Sequence, residues 1–436
     1  MNPVRRPGTI AAFLLLLAQL LPGAELDSLP KQGSALWNVS GAAIQQQYPG
    51  FFRWEDKRQN RLRFNRVDSK KKLTVFAMPV QEVICEYRQG KLDAIQISIY
   101  NRGDAGPMPE RDFDALVNRL LRETARQFGA GRIPERQRVS MAQGRVYAHN
   151  WQAPDMNIVL RWSVSSRNTP EYILLIFQNP QNGGDRLREE LKTQNSAREL
   201  GRLLRHDPDG TVYMIVPMVD QGAKGYCAAA TVARVLNYYG ADADQHLIAQ
   251  LAQSDAVGGT GIGQLMNSLN RAQSRLGIRV KTYCSCLLAQ DDWMKFIKDY
   301  NKFARQNKLA EVNIKKCYIR QHGTKLFSPD LAIRQMQLKA MHQVRALDKN
   351  AREAFFRQVR ESVDAGLPLC WSTVILQKGQ PAGMHMRLIT GYHPKTGAIV
   401  YSDSWGAGHE KKVMSGVEAW SITRHLFGIL PRGGSR

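Results

Sequence analysis

Cysteine is scarce in this chain: six residues among 436 (Cys85, Cys227, Cys284, Cys286, Cys317 and Cys370). So few thiols in so long a sequence exclude a disulfide-built scaffold. No Cys-x-x-Cys and no nearby His-x-x-x-His completes a zinc set around Cys284-Ser-Cys286, so no metal and no other cofactor is expected. That pair is instead the natural candidate for a structural disulfide with Cys317. Long apolar runs are missing too. The one exception, residues 10–21, follows Arg5-Arg6 and precedes Pro-Gly-Ala24. It has the three-part shape of a secretory signal and is too short to span a bilayer. The expectation is a signal peptide over residues 1–24, a mature chain without a transmembrane span, and a periplasmic or extracellular location. Internal repeats, low-complexity tracts and nucleotide-binding motifs are absent from the sequence.

Acidic residues are in deficit, 38 against 61 Lys plus Arg, for a formal charge of +23. Residues 281–360 alone carry 17 basic against 7 acidic side chains. Such a stretch is either a solvated helical face or a surface for anionic partners, an envelope polymer among them. No aromatic-basic motif or zinc-finger spacing accompanies it, so specific nucleic-acid binding is not expected.

What is present is apolar content enough, at 43%, for two ordinary domains. Residues 25–180 read as a β-rich α+β domain. Ile95, Ile97 and Ile99 alternate with polar residues, and similar runs lie at 73–78, 145–151, 158–164 and 172–177. One amphipathic helix, with Phe113, Leu116, Leu120 and Leu121 on a single face and Phe128 near its end, should cover one side of an antiparallel sheet. Asn179-Pro-Gln-Asn-Gly-Gly-Asp185 is turn chemistry, and an Arg- and Glu-rich linker helix is expected across 181–209. A second domain then runs over 210–432, with a basic helical insertion at about 281–360.

The second domain carries the chemistry. Gln221-Gly-Ala-Lys-Gly-Tyr-Cys227 leads into Ala228-Ala-Ala-Thr-Val-Ala-Arg-Val-Leu-Asn-Tyr-Tyr-Gly240, which sets a cysteine at a helix start and a glutamine six residues before it. A helix N-terminus, with its unpaired N–H groups and positive dipole end, favours the thiolate, which is the nucleophile. Near the C-terminus, Gly383-Met-His385-Met-Arg and Tyr401-Ser-Asp403-Ser-Trp-Gly406 read as two strands bearing a histidine and an acid. His385 would pair with Cys227 and later protonate a leaving amine, with Asp403 fixing its tautomer. Gln221 and the Cys227 N–H would donate to the developing oxyanion, the two loop glycines allowing the turn. Trp405 would screen the His–Asp pair from water. His393, His409 and His425 are rivals for the base, the first two expected in exposed turns.

Taken together, these motifs and Thr390-Gly-Tyr392 resemble the C39-like branch of the papain-like cysteine peptidases, over roughly residues 210–432. The resemblance implies a papain-like fold and peptide-bond hydrolysis through a thioester, with Cys227 as nucleophile, His385 as base, Asp403 as orienting acid and Gln221 as oxyanion donor. The substrate would be a protein or peptide. The same constellation would equally serve a transpeptidase, isopeptidase or amidase on cell-wall peptides, and a non-catalytic envelope-binding protein could keep the fold. The β-rich N-terminal domain differs from the helical propeptides of papain-type zymogens, and the basic insertion, to which the resemblance assigns no counterpart, could cover or extend the substrate cleft.

Overall fold

Alternation with a period of two builds the first half. In the computed structural model, eight strands form one antiparallel sheet: β1 (Arg53–Trp54), β2 (Arg61–Asn65), β3 (Glu82–Arg88), β4 (Lys91–Asn101), β5 (Gln137–Met141), β6 (Gly144–Ala153), β7 (Met156–Ser165) and β8 (Pro170–Gln178). Their spatial order is β1-β2-β3-β4-β8-β7-β6-β5. The structure describes residues 24–432 apart from 67–70, 130, 142–143, 166, 183–196, 223–224, 242, 244, 253–260, 286, 288, 322 and 378–379. The expected signal segment therefore lies outside the described residues, except for Ala24, and so do residues 183–196 of the expected linker helix; of its described part, Ala197–Gly201 is helical and Arg205–His206 is a short strand.

Helix α1 (Glu110–Phe128) lays Phe113, Val117, Leu120 and Leu121 against this sheet. On the same side, Phe64, Val83 and Ile97 stand in register across β2, β3 and β4. The alternation that turns these three inward turns Asn65, Glu82 and Ser98 to the opposite face. Those polar residues are nevertheless at most 4% exposed, because the second half of the chain covers that face. The run at residues 73–78 departs from the sequence reading. It breaks at Phe76 and Ala77, both at positive φ, into two short strands (Leu73–Val75 and Met78–Pro79) of a separate small sheet.

The second half begins with β9 (Arg205–His206) and β10 (Val212–Tyr213), followed by α2 (Cys227–Tyr238), α3 (Gln245–Leu251), α4 (Ile262–Leu276) and β11 (Ile278–Ser285). It returns through α5 (Gln290–Gln306), a hairpin of β12 (Tyr318–Gln321) and β13 (Thr324–Phe327), α6 (Pro329–Ile333), α7 (Leu338–Ala346) and α8 (Lys349–Asp364). Last come β14 (Leu369–Gln377), β15 (Gln380–Tyr392), β16 (Ile399–Ser402), β17 (Lys412–Met414), α9 (Gly416–Ile422) and β18 (Thr423–Pro431). The sheet order is β9-β10-β15-β14-β18-β11, with β16 bridging β15 and β17. Helix α2 is buried on all sides: ten of its residues, Ala228 to Leu236 and Tyr238, are sealed from solvent, all apolar but Thr231 and Arg234, and Arg234 donates to the Pro217 carbonyl and to Ser402.

The stretch expected as an insertion is not an appendage. Its Trp293, Ile297, Tyr300, Met341, Phe355 and Val359 share one core with Val232, Leu236 and Leu426 of the surrounding elements. Its first residue, Lys281, lies in β11 of the main sheet. Its basic side chains are nearly all exposed, Arg345 and Arg352 excepted. The expected link from Cys284-Ser-Cys286 to Cys317 is not made: Cys284 is disulfide-bonded, whereas Cys317 is a free, buried thiol. Cys317 is instead engaged locally, donating to the Asn313 carbonyl at 3.3 Å and accepting from the Gln335 amide at 3.3 Å; Cys286 lies outside the described residues. Among the described residues no helix is long and apolar enough to cross a membrane, and no group of His, Cys, Asp and Glu has the arrangement to hold a metal.

Candidate active site

Cys227 is the first residue of α2, and the preceding Tyr226 gives the helix end no side-chain cap. The first-turn N–H groups are thus directed at the region of the thiol, where they favour negative charge. His385 lies within β15, opposite Thr373 of β14. Asp403 follows β16 directly, at the start of a turn closed by its own N–H donating to the His409 carbonyl at 2.9 Å.

These positions bring the sequence-predicted residues together. His385 Nε2 donates to Asp403 Oδ1 at 2.5 Å. The other ring nitrogen is thereby left to the Cys227 thiol, to which His385 is also hydrogen-bonded. Gln221 joins through Ser404: its backbone N–H donates to the Ser404 carbonyl at 2.8 Å, and its Oε1 accepts from Ser404 Oγ at 2.6 Å. Holding the carbonyl end of the amide fixes the donor end on the other side. Gly222, at φ +66°, turns the loop just after Gln221. The loop positions 223–224 lie outside the described residues.

Two members of the site escape a reading of motifs. Arg387 Nε donates to Asp403 Oδ2 at 3.0 Å, and Ser404 orients both Gln221 and, through its N–H at 2.9 Å, Asp403 Oδ1. The signal for Arg387 is strand periodicity, since a residue two positions from His385 shares its face. Ser404 has no signal beyond adjacency to Asp403. Trp405 lies nearly parallel on the His385 ring, centroids 4.6 Å apart at 19°, and remains 39% exposed.

The rival histidines are elsewhere or otherwise engaged. His393 caps its own turn, its Nδ1 accepting from the N–H groups of Lys395 and Thr396 at 3.2 Å. His425 is buried on β18 beside Ser285, and burial pushes its pKa down to about 4. His409 is closer to the site than its sequence suggests. It is half-buried, with its ring edge-on to Trp405 at 5.5 Å.

The electrostatics follow from this geometry. Burial raises the Cys227 thiol, but the hydrogen bond and charge of His385, with the backbone of Met386 and Ala228, outweigh it and leave the thiol below its ordinary value. Burial lowers the His385 imidazolium, yet its bonds to Asp403 and Cys227 push it up to about 9. Burial raises Asp403, and His385 and Arg387 more than offset this, so it stays ionised. Both shifts favour the thiolate–imidazolium form of the pair over the neutral one. A cavity of about 350 Å³ lies between residues 56–61 and 213–218, and neither Cys227 nor His385 lines it.

A comparison with curated proteins found no match. Among solved structures, the chain is similar to xylellain, a cysteine protease from Xylella fastidiosa, at 12% identity and a TM-score of 0.25, over 55% of this chain and 91% of that one. A family model described as "Peptidase_C39 like family" matches residues 213–425, the span that holds Gln221, Cys227, His385 and Asp403. The C-terminal half of the chain is thus a C39-like domain of the papain-like cysteine peptidases, preceded by a β-rich α+β half.

Proposed function

We propose that this protein is an exported cysteine peptidase acting through a Cys-His-Asp thioester mechanism. The observation that carries the reading is the unbroken series from the Cys227 thiol through the His385 ring to the Asp403 carboxylate, with the thiol depressed and the imidazolium raised. The thiolate attacks the peptide carbonyl carbon. The oxygen takes up the displaced electron pair, and the Gln221 amide and the Cys227 N–H stabilise it. Collapse of the intermediate breaks the C–N bond, and His385 gives its proton to the departing amine. His385 then accepts a proton from water as the hydroxyl adds to the thioester, and the acid product leaves as the thiolate returns. His385 and Arg387 together keep Asp403 ionised. The leader-like residues 1–24 support export.

The reading predicts different pH dependences for two reactions of one thiol. Iodoacetamide needs only the thiolate, so Cys227 labelling should fade as pH falls through its depressed pKa and persist at high pH. Peptide turnover also needs the imidazolium proton, so it should fall again as pH rises past about 9. The two limbs belong to the coupled pair rather than to either residue alone. Labelling from pH 4 to 10 with peptide mass spectrometry checks this, and a Cys227 no more reactive at pH 7 than Cys317 would sink the proposal. Gln221→Ala should slow acylation of Cys227 on the order of 10²-fold, the effect of losing one oxyanion donor, with iodoacetamide labelling unaltered.

A further inference from the structure

The face of the N-terminal sheet that should have been wet carries a run of buried polar contacts, and this run begins and ends on the loop that presents Gln221 and Cys227. Tyr226 Oη donates to Asn101 Oδ1 at 2.8 Å. Asn101 Nδ2 meets His246 Nδ1, and His246 Nε2 donates to Glu82 Oε2 at 2.8 Å. Glu82 Oε1 accepts from Arg63 Nε at 2.7 Å, and Arg63 Nη1 lies 3.1 Å from Asp220 Oδ2. Asp220 Oδ1 then accepts the Gly222 N–H at 2.8 Å, which returns the chain to the loop. None of Tyr226, Asn101, His246, Glu82, Arg63 and Asp220 is more than 4% exposed.

We infer that the N-terminal sheet is a working part of the active site, holding Asp220–Gly222 and Tyr226–Cys227, the two ends of the oxyanion loop, in their acylating positions through Asn101 and Arg63. The inference rests on the peptidase reading above. An interface that merely glued two halves together would have no reason to grip this loop at both ends. Here the two gripped residues are the one before Gln221 and the one before Cys227, so a shift of either moves one of the two oxyanion donors relative to the other. Misplacement of about 1 Å in such a site costs on the order of 10²-fold in rate. Asp220 is held from further sides as well. Arg53 donates to its Oδ2 at 3.1 Å, and a Cβ on Gly406, at φ +79°, would stand 2.6 Å from the same oxygen. The carboxylate is thus common to the sheet, the oxyanion loop and the turn that carries Trp405. Tyr226, Asn101 and Arg63 are positioning residues on this account, and the N-terminal half is not a removable inhibitory segment.

The test separates nucleophilicity from oxyanion placement in the full chain. Acetylation of Cys227 by p-nitrophenyl acetate passes through a tetrahedral oxyanion, whereas alkylation by iodoacetamide does not. Tyr226→Phe and Asn101→Ala should each slow acetylation about tenfold while alkylation at pH 7 stays within twofold of the parent. The double variant should be no slower than the slower single one, because both remove the same bond. Acetylation at the parental rate in both variants would overturn the inference, as would acetylation and alkylation falling in step. If the parent protein itself is acetylated no faster than a free thiol such as glutathione, the peptidase reading fails first, and this one with it.

Discussion

Replacement of His385 by alanine is expected to reduce the release of p-nitrophenolate from p-nitrophenyl acetate by at least about 10³-fold, the loss of a general acid and base together with the partner that keeps the thiol ionised. The effect should exceed that of any other histidine. His385 is the one that joins the thiol to Asp403, whereas His393 is committed to its turn and His425 is buried beside Ser285. His393→Ala and His409→Ala should retain most of the rate. His409 is the sharper control, since its ring lies against Trp405 and it meets Asp403 through its backbone carbonyl, which the substitution leaves in place. Near-parental activity of the His385 variant would transfer the role elsewhere. The same substitution should move Cys227 alkylation to higher pH, because burial would then raise the thiol with no imidazolium to oppose it.

Arg63→Met is expected to destabilise the protein by roughly 3–5 kcal/mol, the cost of stripping a buried charge cluster of its cation. Arg63 lies 3.5 Å from Glu55 and 3.1 Å from Asp220 and is hydrogen-bonded to Glu82, all four side chains being shielded from water. Even with Arg63 present, burial lifts the Glu55 carboxyl to about 7, with Asp220 and Glu82 adding to the rise and Arg61 and Arg63 opposing it. Removal of the arginine takes away one of the two charges that oppose this rise, so the Glu55 carboxyl goes up further. Groups that bind protons more tightly folded than unfolded lend stability at low pH and withdraw it as pH rises. The deficit should therefore be smaller at pH 5 than at pH 8, and urea unfolding of both proteins at the two pH values measures it. A deficit that grows as pH falls would show that the three carboxylates are not mutually exposed when Arg63 is lost.

The reach of the sequence differs between the two faces of one sheet. Ile95, Ile97 and Ile99, with the Phe113, Leu120 and Leu121 stripe of α1, announce an apolar face and its cover, because burial of that kind is written as periodicity. The opposite face is polar by the same alternation and reads as solvated. Its burial depends on Asp220 and His246, more than 100 residues away along the chain, and no local pattern encodes a pairing at that range. The site divides in the same way. Gln221, Cys227, His385 and Asp403 are legible because each sits in a short motif whose spacing has a mechanical reason. Arg387 was within reach through strand periodicity, while Ser404 acquires its role only when the Asp403 turn meets the Gln221 loop. The basic stretch at 281–360 was legible as a solvated helical face, but its packing was not. Its exposed lysines and arginines stand out in composition, whereas Trp293, Tyr300 and Phe355, which tie it into the common core, look ordinary.

The placement of Trp405 equips the molecule with an optical reporter of its own. Among the eight tryptophans it alone is exposed, and its ring covers His385 face to face. A dissolved quencher such as iodide therefore reaches this indole in preference to the seven others, and anything that settles over His385 must cover it. Occupancy of the cleft can thus be followed as protection of fluorescence in a protein whose nucleophile has been removed, where binding is visible and turnover is not.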